Sequence, residues 1–408
     1  MALALAALWA WNVSDKALIS YYARKYRTTP LPEKSSYNSS DVSIIAPTIN
    51  TESTFTECMR LWLESDPLEI IIVTVKRDEA RVRKLLQPLE EYTDKIVLLL
   101  APFANKRQQL MVGVDAAKGK ILALVDDDVY WREKGVMPYL LAPFENGKVG
   151  AVAGIQSAEI PVERQDPRVI TPWEATATYD LFLWKGSREV HFAADGGCWC
   201  LSARTLLIRA SILQDPDFAR AYTQELIGRR IVNTADDVVL TEWVFDRGWE
   251  VSIQNTPEAE VTTNIPQDHK LLWQILRWDR GNFRSFLGFL FVNPGLSKMM
   301  KRHPYTTWKM IERLARPIWA VVSLFFWFKT LYTMPWIAYA YVAWIVCGWG
   351  GLVWSYSSFL RKYPYCAKHI WAFIIHEYMG FVVDIYVYLT MKNDNWLTRV
   401  ADVQNIKA

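Results

Sequence analysis

The stretch "KILALVDDD" (residues 120–128) decides the fold class of this 408-residue chain. Residues 121–125 form a short apolar run that is typical of a buried strand, and three aspartates follow it directly. Adjacent carboxylates repel one another, so a fold keeps them where water or a cation compensates their charge. The stretch therefore predicts a buried strand that ends at an acidic edge.

Three other apolar runs predict further strands: "VSIIAPT" (42–48), "LEIIIVTV" (68–75) and "KIVLLLAP" (95–102). Helical patterns separate them, and "KRQQLMVGVDAAKG" (106–119) leads into the acidic strand. Strands that alternate with helices of this length predict an α/β domain with a doubly wound, mainly parallel sheet. Ligands of such sheets bind beyond the carboxyl ends of the strands, where the aspartates are expected.

The last third of the chain predicts a membrane domain. Hydrophobic residues make up 51% of the sequence, and they crowd together after about residue 314. Three candidate spans follow, at residues 317–333, 335–356 and 370–391, the first two so close that a tight hairpin is expected. The basic stretch ahead of the first span favours a cytosolic location for the preceding domain.

Charged residues in the third span need a polar partner. His376, Glu377 and Asp384 lie there, and the two acids are seven residues apart, which places them on one helix face. A hydrated channel and a helix–helix contact within a dimer both explain them equally well.

The N-terminal segment and the composition of the chain indicate how the rest of the protein is organised. "MALALAALWAWNV" (1–13) is short for a span, which favours an interfacial helix or the remnant of a first transmembrane helix. The net charge of +3 is too small to indicate nucleic-acid binding, and five cysteines without a regular framework indicate reduced thiols. The expected segments are an N-terminal interfacial helix and linker (1–40), a cytosolic α/β domain (41–278), amphipathic interface helices (279–313), about three transmembrane helices (314–391) and a cytosolic tail (392–408).

A second acidic motif lies in "NTADDVVLTEW" (233–243). Thr234 or Asn233 could cap a helix that begins here, and the helix dipole favours acidic residues in its first turn. The alternative is chemical: a carboxylate such as Asp237 can accept a proton from an attacking hydroxyl.

A third motif is "QILRWDRGN" (274–282), in which Gln274, Arg277 and Trp278 lie on nearby turns of a helix. The planar guanidinium of Arg277 suits phosphate oxygens, and the indole of Trp278 offers a flat face to a sugar ring. The alternative is an interfacial helix with snorkelling arginines and an anchoring tryptophan.

Taken in this order, the three motifs resemble those of the processive family 2 glycosyltransferases, namely the cellulose, chitin and hyaluronan synthases. "DDD" (126–128) is similar to their DxD motif, "TADD" (234–237) to TED, GED or GDD, and "QILRW" (274–278) to Q(Q/R)xRW. The resemblance covers roughly residues 41–400. It implies a GT-A fold and an inverting, metal-dependent hexosyltransferase in the plasma membrane. Such an enzyme would add sugars from a UDP-sugar to a growing hyaluronan-, chitin- or glucan-like polysaccharide, which the spans would help to extrude, with a homo-oligomer as one possible assembly.

The resemblance also implies a donor site. Asp237, with Asp236 beside it, corresponds to the catalytic base. A divalent cation, Mg²⁺ or Mn²⁺, would be held by Asp128 and Asp126. The donor contacts implied are Thr48, Lys106, Asp126 and Arg277.

The implied acceptor site uses two segments. "DGGCWCLSARTLLIRA" (195–210) corresponds to the acceptor entrance, where Gly197 would allow close backbone approach and Cys198 and Trp199 would border the terminal sugar. Gln274 and Trp278 would complete it, with Trp278 as the platform for the acceptor ring.

A late segment, "NWLTR" (395–399), resembles the WGTR motif of hyaluronan and chitin synthases. It makes Trp396, Thr398 and Arg399 candidate gating or diphosphate contacts of the donor site.

The chain departs from the family pattern at two points. Where the second strand of the family often ends in an aspartate that contacts uracil, this chain has Thr74 and Lys76, which leaves Asp78 as the remaining candidate. Three spans are also fewer than such a synthase usually has. A glycolipid synthase that adds one sugar to a membrane lipid is therefore an alternative, and an inactive membrane scaffold is a distant one.

Overall fold

The computed structural model describes residues 2–227, 230–232, 234–349 and 351–393. The described residues form the strands β1 (Val42–Pro47), β2 (Glu69–Val75), β3 (Ile96–Ala101), β4 (Ile121–Val125), β5 (Val129–Tyr130), β6 (Val149–Gly154), β7 (Gln156–Ala158), β8 (Thr205–Arg209), β9 (Leu226–Ile227), β10 (Arg230–Ile231), β11 (Glu250–Gln254) and β12 (Val261–Thr263). They also form the helices α1 (Ala2–Lys25), α2 (Phe55–Leu63), α3 (Glu79–Leu86), α4 (Lys106–Ala116), α5 (Val136–Leu141), α6 (Pro172–Asp195), α7 (Ala210–Leu213), α8 (Pro216–Thr223), α9 (Asp236–Asp246), α10 (Lys270–Phe291), α11 (Leu296–Arg302), α12 (Pro304–Thr333), α13 (Pro335–Cys347), α14 (Leu352–Lys362) and α15 (Ile370–Thr390).

A seven-stranded sheet with the order β11-β6-β8-β4-β1-β2-β3 forms the centre of the α/β part. β1 runs parallel to its neighbours β2 and β4, whereas β8 runs antiparallel to β4 and β6. Every residue of β1 and β4 is buried, because apolar clusters cover both faces of the sheet: Ile44 packs in one cluster and Ile45 in the other. The expected doubly wound, mainly parallel sheet is confirmed, with β8 as the antiparallel exception.

Two helices that reach the carboxyl edge of this sheet have clear start signals. α4 begins after Asn105, whose side chain accepts a hydrogen bond from the N–H of Gln108, and Gln109 donates to the carbonyls at the ends of β1 and β2. α6 begins with a capping box between Thr171 and Glu174 and ends at Gly196, whose φ is +68°. α4 packs on β1, β2 and β3, whereas α6 packs on β7 and β11.

Three helical stretches near the C-terminus are long and apolar enough to cross a membrane: Pro304–Thr333, Pro335–Lys362 and Pro364–Thr390. They carry large apolar side chains that are exposed on the protein surface, such as Ile318, Trp336 and Leu389. Only Met334 separates α12 from α13, so the tight hairpin expected between the first two spans is confirmed. The second stretch consists of two helices, α13 and α14.

Asp384 of α15 is fully buried and lies between two arginines of α12. Its carboxylate accepts hydrogen bonds from the guanidinium groups of Arg313 and Arg316. Arg313 also lies 2.9 Å (Nη2 to Oδ1) from Asp279 of α10. One ion-pair network therefore joins α10, α12 and α15.

The other two polar residues of the third span also have partners within the chain. His376 Nε2 lies 2.7 Å from the carboxylate of Asp180 on α6, and the hydroxyl of Tyr356 on α14 donates to Glu377 at 3.1 Å. Contacts inside one chain thus account for all three residues without a hydrated channel or a dimer.

The N-terminal helix α1 extends to Lys25, well beyond the short apolar run. It packs against the membrane-side helices, with Trp9 edge-on to Trp344 at 5.9 Å between ring centroids and Asp15 paired with Lys309. The domain boundary expected after residue 278 falls inside α10, which continues unbroken from Lys270 to Phe291.

Candidate active site

The three aspartates after β4 have different partners. Asp127 is buried and accepts a hydrogen bond from the hydroxyl of Thr48, at the end of β1. Asp126 lies 2.8 Å (Oδ1 to Nζ) from Lys106, the first residue of α4. Asp128 lies in the wall of a cavity beyond the sheet edge. All three aspartates line this cavity, and Asp127 also connects the ends of β4 and β1 through its bond with Thr48.

Lys106 links the first acidic motif to the second. Its Nζ lies 2.8 Å from Asp126 and 2.7 Å from Asp236, the first residue of α9. Burial alone would lower the pKa of Lys106, but the two carboxylates outweigh burial and raise it. Burial likewise opposes ionisation of Asp236, yet Lys106 lowers its pKa below the ordinary value. The ammonium group thus holds two carboxylates from distant segments at one place.

Asp237 has a different electrostatic environment from its neighbour. Burial and the charge of Asp236 both raise the pKa of Asp237. Its Oδ1 accepts a hydrogen bond from the N–H of Val238 at 3.0 Å, and the thiol of Cys200 is a further hydrogen-bonding neighbour. A carboxylate in a cavity with a raised pKa is suited to accept a proton.

The start of α9 differs from the expected capped helix. Ala235 occupies the N-cap position with a φ of +56° and makes no side-chain capping bond. The expectation that Thr234 caps this helix is therefore wrong: its hydroxyl accepts a hydrogen bond from Arg284 of α10 at 2.7 Å, and its carbonyl accepts one from Arg107. Asn233, the other expected cap, lies outside the described residues.

Helix α10 brings the third motif to the same place. Gly281 makes this approach possible, because a Cβ built on it would lie 2.8 Å from the Cβ of Ala235. Burial lowers the pKa of Arg277, while Asp236, Asp237 and Asp126 act to raise it. The guanidinium group therefore lies within electrostatic reach of carboxylates from both acidic motifs.

Side chains from all three motifs surround one cavity of about 790 Å³. Its volume is within the range of roughly 300–1,000 Å³ that is common for small-molecule sites. The residues expected from the sequence that line it are Thr48, Lys106, Asp126, Asp128, Asp236, Asp237, Gln274, Arg277 and Trp278.

The expected acceptor residues Gly197, Cys198 and Trp199 lie outside this lining. Gly197 allows the close approach of helix α12, because a Cβ on it would clash with the hydroxyl of Thr306. Cys198 is buried in an apolar cluster, and the ring of Trp199 lies 4.3 Å from that of His191. Trp199 is only partly buried, and it packs against the cluster that contains Phe286. The assignment of these three residues to an acceptor entrance stays a prediction. Cys200, two residues later, lines the cavity instead.

Two other expectations concern positions at the edge of the site. Trp396, Thr398 and Arg399 lie outside the described residues. Asp78, the remaining candidate for uracil recognition, accepts a hydrogen bond at 3.2 Å from the backbone N–H of Asn50, which lines the cavity. Asp78 thus lies directly behind the cavity wall.

Several residues of the cavity wall were not predicted as site residues, namely Trp184, Arg188, Cys200, Arg204 and Lys270. Trp184 and Arg188 are one turn apart on α6, and the "TPWE" capping box (171–174) is a signal that could have identified this helix. Cys200 and Arg204 lie within the segment 195–210 that was expected at the acceptor entrance, although neither was named individually.

A divalent cation at this site would be held by Asp126 and Asp128. Both carboxylates line the cavity, and carboxylate oxygens are ligands that Mg²⁺ and Mn²⁺ prefer. Within the described part of the chain, no group of three or more His, Cys, Asp and Glu side chains is arranged to hold a metal ion. The residues fit a cation that takes its other ligands from substrate phosphate and water, as Mg²⁺ usually does.

Comparison with known protein families matches residues 40–281 to the family described as "Glycosyltransferase like family 2". The NDP-glycosyltransferase ltbB of Aspergillus luteorubrus is 69% identical over 408 residues, which is 100% of both chains. A type 2 glycosyltransferase of Zymoseptoria tritici is 32% identical over 362 residues, covering 85% of this chain and 68% of that protein.

Among solved structures, the mannosyltransferase PcManGT from Pyrobaculum calidifontis, in complex with GDP-Man and Mn²⁺, is similar in fold. It aligns with a TM-score of 0.56 and 16% identity over 98% of this chain and 99% of that chain. The expected GT-A-like sheet followed by apolar C-terminal helices is confirmed.

Proposed function

Since the chain belongs to glycosyltransferase family 2, we propose that it transfers one sugar from a UDP-sugar to an acceptor held at a membrane surface. The observation that supports this is the convergence of Asp237, Arg277 and Trp278 on one cavity, beside the carboxylates of Asp126 and Asp128. The helix that carries Arg277 and Trp278 is ion-paired to α12, which is long and apolar enough to span a membrane. The reaction would therefore take place next to the bilayer.

In the proposed reaction, the acceptor hydroxyl loses its proton to the carboxylate of Asp237 while its oxygen forms a bond to the anomeric carbon. The bond from that carbon to the UDP oxygen breaks, and UDP leaves with the electron pair. Attack opposite the leaving group inverts the configuration. The raised pKa of Asp237 makes it a better proton acceptor, and Arg277 stabilises the charge that develops on the diphosphate.

The other residues of the cavity would hold the reactants in place. Asp236 and Lys106 fix the start of α9 and hence the position of Asp237. Trp278 would stack on the acceptor and orient its hydroxyl towards the anomeric carbon. Asp126 and Asp128 would hold Mg²⁺ or Mn²⁺, which when bound supplies positive charge to the donor diphosphate.

Single transfer is favoured over polymer extrusion by the polar residues of the candidate spans. Asp384 is neutralised by Arg313 and Arg316, and His376 is paired with Asp180. These charged groups form ion pairs between helices and do not line a hydrated channel for a polymer. Addition to a growing polysaccharide is the second candidate, supported by Trp278, whose place in the cavity suits the end of a sugar chain.

We also propose that the cavity faces the cytosol. The residues immediately before α12 include Lys301 and Arg302, and positive charge at that end of a span favours the cytosolic side. The plasma membrane is the proposed compartment.

The proposal is tested by screening donors with the full-length protein in lipid nanodiscs. Release of nucleoside diphosphate is measured with several UDP-hexoses, with Mg²⁺ or Mn²⁺. GDP-mannose is included because the structurally similar PcManGT was solved with GDP-Man. We expect turnover with at least one UDP-sugar, and a product from radiolabelled donor that migrates as a single-sugar adduct. A ladder of long products would instead favour the polysaccharide candidate, and no release with any donor would refute the enzymatic proposal.

Two variants of helix α9 test the assigned base. Asp237→Asn should reduce turnover by about 10²–10⁴-fold while UDP still binds in calorimetry, because only the proton acceptor is lost. Asp246→Asn, at the exposed far end of the same helix, is the matched control and should keep native turnover. Full activity of Asp237→Asn would show that the base is assigned wrongly.

A further inference from the structure

Two arginines and two tryptophans form one corner of the cavity, which we call the Arg–Trp box: Trp184, Arg188, Arg204 and Trp278. The Arg188 guanidinium carbon lies 5.4 Å from the ring centroid of Trp184, and that of Arg204 lies 5.2 Å from the ring of Trp278. The two indole centroids are 6.1 Å apart. All four side chains line the cavity, so flat apolar faces and cationic groups alternate around one space.

The positive charge of the Arg–Trp box is not balanced by ion pairs. Arg188 is only 8% exposed, and its Nε has no hydrogen-bond partner among the residues that the structure describes. Arg204 donates to the side-chain oxygen of Gln156 at 2.9 Å, a neutral partner. Within the described ranges neither arginine forms a salt bridge. The carboxylates of Asp126, Asp128 and Asp237 lie within electrostatic reach of Arg204, so the proposal depends on Arg188. A buried guanidinium without an anion is unfavourable. This corner of the cavity is therefore suited to an anionic ligand.

The surroundings of Arg188 separate it from the donor residues. Its described neighbours are Trp184, Arg204 and the thiols Cys198 and Cys200. Arg277, in contrast, is surrounded by the carboxylates of both acidic motifs, where the donor diphosphate is proposed to bind. The anion at Arg188 thus belongs on the Trp278 side of the cavity, which is the acceptor side in the proposed function.

We propose that the Arg–Trp box binds a phosphate group of the acceptor, next to the hydroxyl that Asp237 deprotonates. This assignment of an acceptor class rests on the proposed function. The fork of a guanidinium group matches two phosphate oxygens, and the indole faces suit the ring or polyol that carries the reacting hydroxyl. The same chemistry occurs in a phospholipid head group and in a soluble sugar phosphate.

Direct binding measurements on the full-length protein distinguish these two sources. UDP and Mn²⁺ are present at saturation, so that the donor site is occupied. In the soluble arm, equilibrium dialysis compares radiolabelled glucose 6-phosphate with glucose. In the lipid arm, native mass spectrometry compares retention of phosphatidylglycerol with that of uncharged monoolein.

We expect the phosphorylated member of at least one pair to bind at least about tenfold more tightly, which corresponds to about 1.4 kcal/mol. Arg188→Gln should abolish this preference and Arg188→Lys should restore part of it, because lysine keeps the charge but not the fork. Arg168→Gln, which changes an exposed arginine, is the matched control and should keep the preference.

Equal binding of both members of each pair by the native protein would overturn the proposal, and this comparison requires no variant. A preference that survives in Arg188→Gln would overturn it as well. If the protein turns over a donor but shows no preference for the phosphorylated ligand, the phosphate-binding role of the Arg–Trp box is refuted and the glycosyltransferase function is left intact. Binding of the phosphorylated ligand without turnover of any donor would refute the glycosyltransferase reaction and leave the phosphate site intact.

Discussion

The contact between Gly281 and Ala235 offers a sharp test of how the site is held together. A Cβ on Gly281 would lie 2.8 Å from the Cβ and 3.6 Å from the Cα of Ala235. Non-bonded carbons prefer about 3.5–4.0 Å, so Gly281→Ala requires α9 and α10 to separate by roughly 1 Å. Ala235 cannot give way by rotating its side chain, because a methyl group has no other rotamer to adopt.

This displacement acts directly on the proposed chemistry. Asp237 lies two residues after Ala235, and Arg277 lies four residues before Gly281, so the two groups would move apart. A misplacement of about 1 Å can lower a rate about 10²-fold. Overpacking destabilises by about 1–3 kcal/mol, and replacing glycine by alanine inside a helix recovers about 1 kcal/mol. We therefore expect a large loss of kcat/KM with only a small fall in Tm.

The assay measures release of nucleoside diphosphate and thermal melting in parallel. Gly288→Ala on the same helix is the matched control, because the nearest atom to its Cβ is Glu242 Oε1 at 3.9 Å; it should keep native activity. The double variant Gly281→Ala with Ala235→Gly moves the methyl group to the other helix and should recover activity, since the φ of +56° at Ala235 also favours glycine. Equal activity of Gly281→Ala and Gly288→Ala would refute the reasoning.

Three further predictions concern charge. The kcat/KM should fall at low pH as Asp237 is protonated, and the fall should begin above the pH expected for an ordinary aspartate, because burial and Asp236 raise the pKa of Asp237. Asp236→Asn should shift this limb of the pH–rate profile to lower pH, and an unshifted limb would contradict the assignment of Asp237. Lys106→Met leaves two carboxylates without their shared cation, so turnover should be lost and thermal stability should drop, whereas Lys106→Arg, which keeps the charge, should retain more of both. Asp384→Asn leaves two arginines of α12 without their buried anion and should destabilise the helix assembly by about 3 kcal/mol. The loss is measured as a lower Tm in nanodiscs, and a native Tm would show that the ion-pair network contributes little.

The sequence predicted the sheet well because its strands are buried on both faces. Continuous apolar runs such as that of β4 are visible without knowledge of their neighbours. The three motifs could be assigned to one site through their resemblance to a family, and Lys106 supplies the contact that brings the two acidic motifs together.

Contacts made by packing across long sequence separations could not be predicted in this way. Gly197 was expected to allow close approach, and the structure shows that it does so for Thr306 of α12, more than a hundred residues later. Asp384 needed a partner, yet nothing local to it identifies Arg313 and Arg316. The identity of a partner depends on tertiary structure, whereas the need for one depends only on burial and charge.

Consecutive residues of α10 connect the cavity to the candidate spans. Trp278 lies in the cavity wall, and Asp279, rotated by about 100° around the helix, pairs with Arg313 of α12. Arg313 in turn pairs with Asp384 of α15. The orientation of Trp278 relative to Asp237 is therefore set by the membrane-side helices as much as by the sheet. A site built in this way favours an acceptor that arrives at the bilayer surface, because the helices that would contact lipid also fix the platform on which the acceptor is proposed to stack.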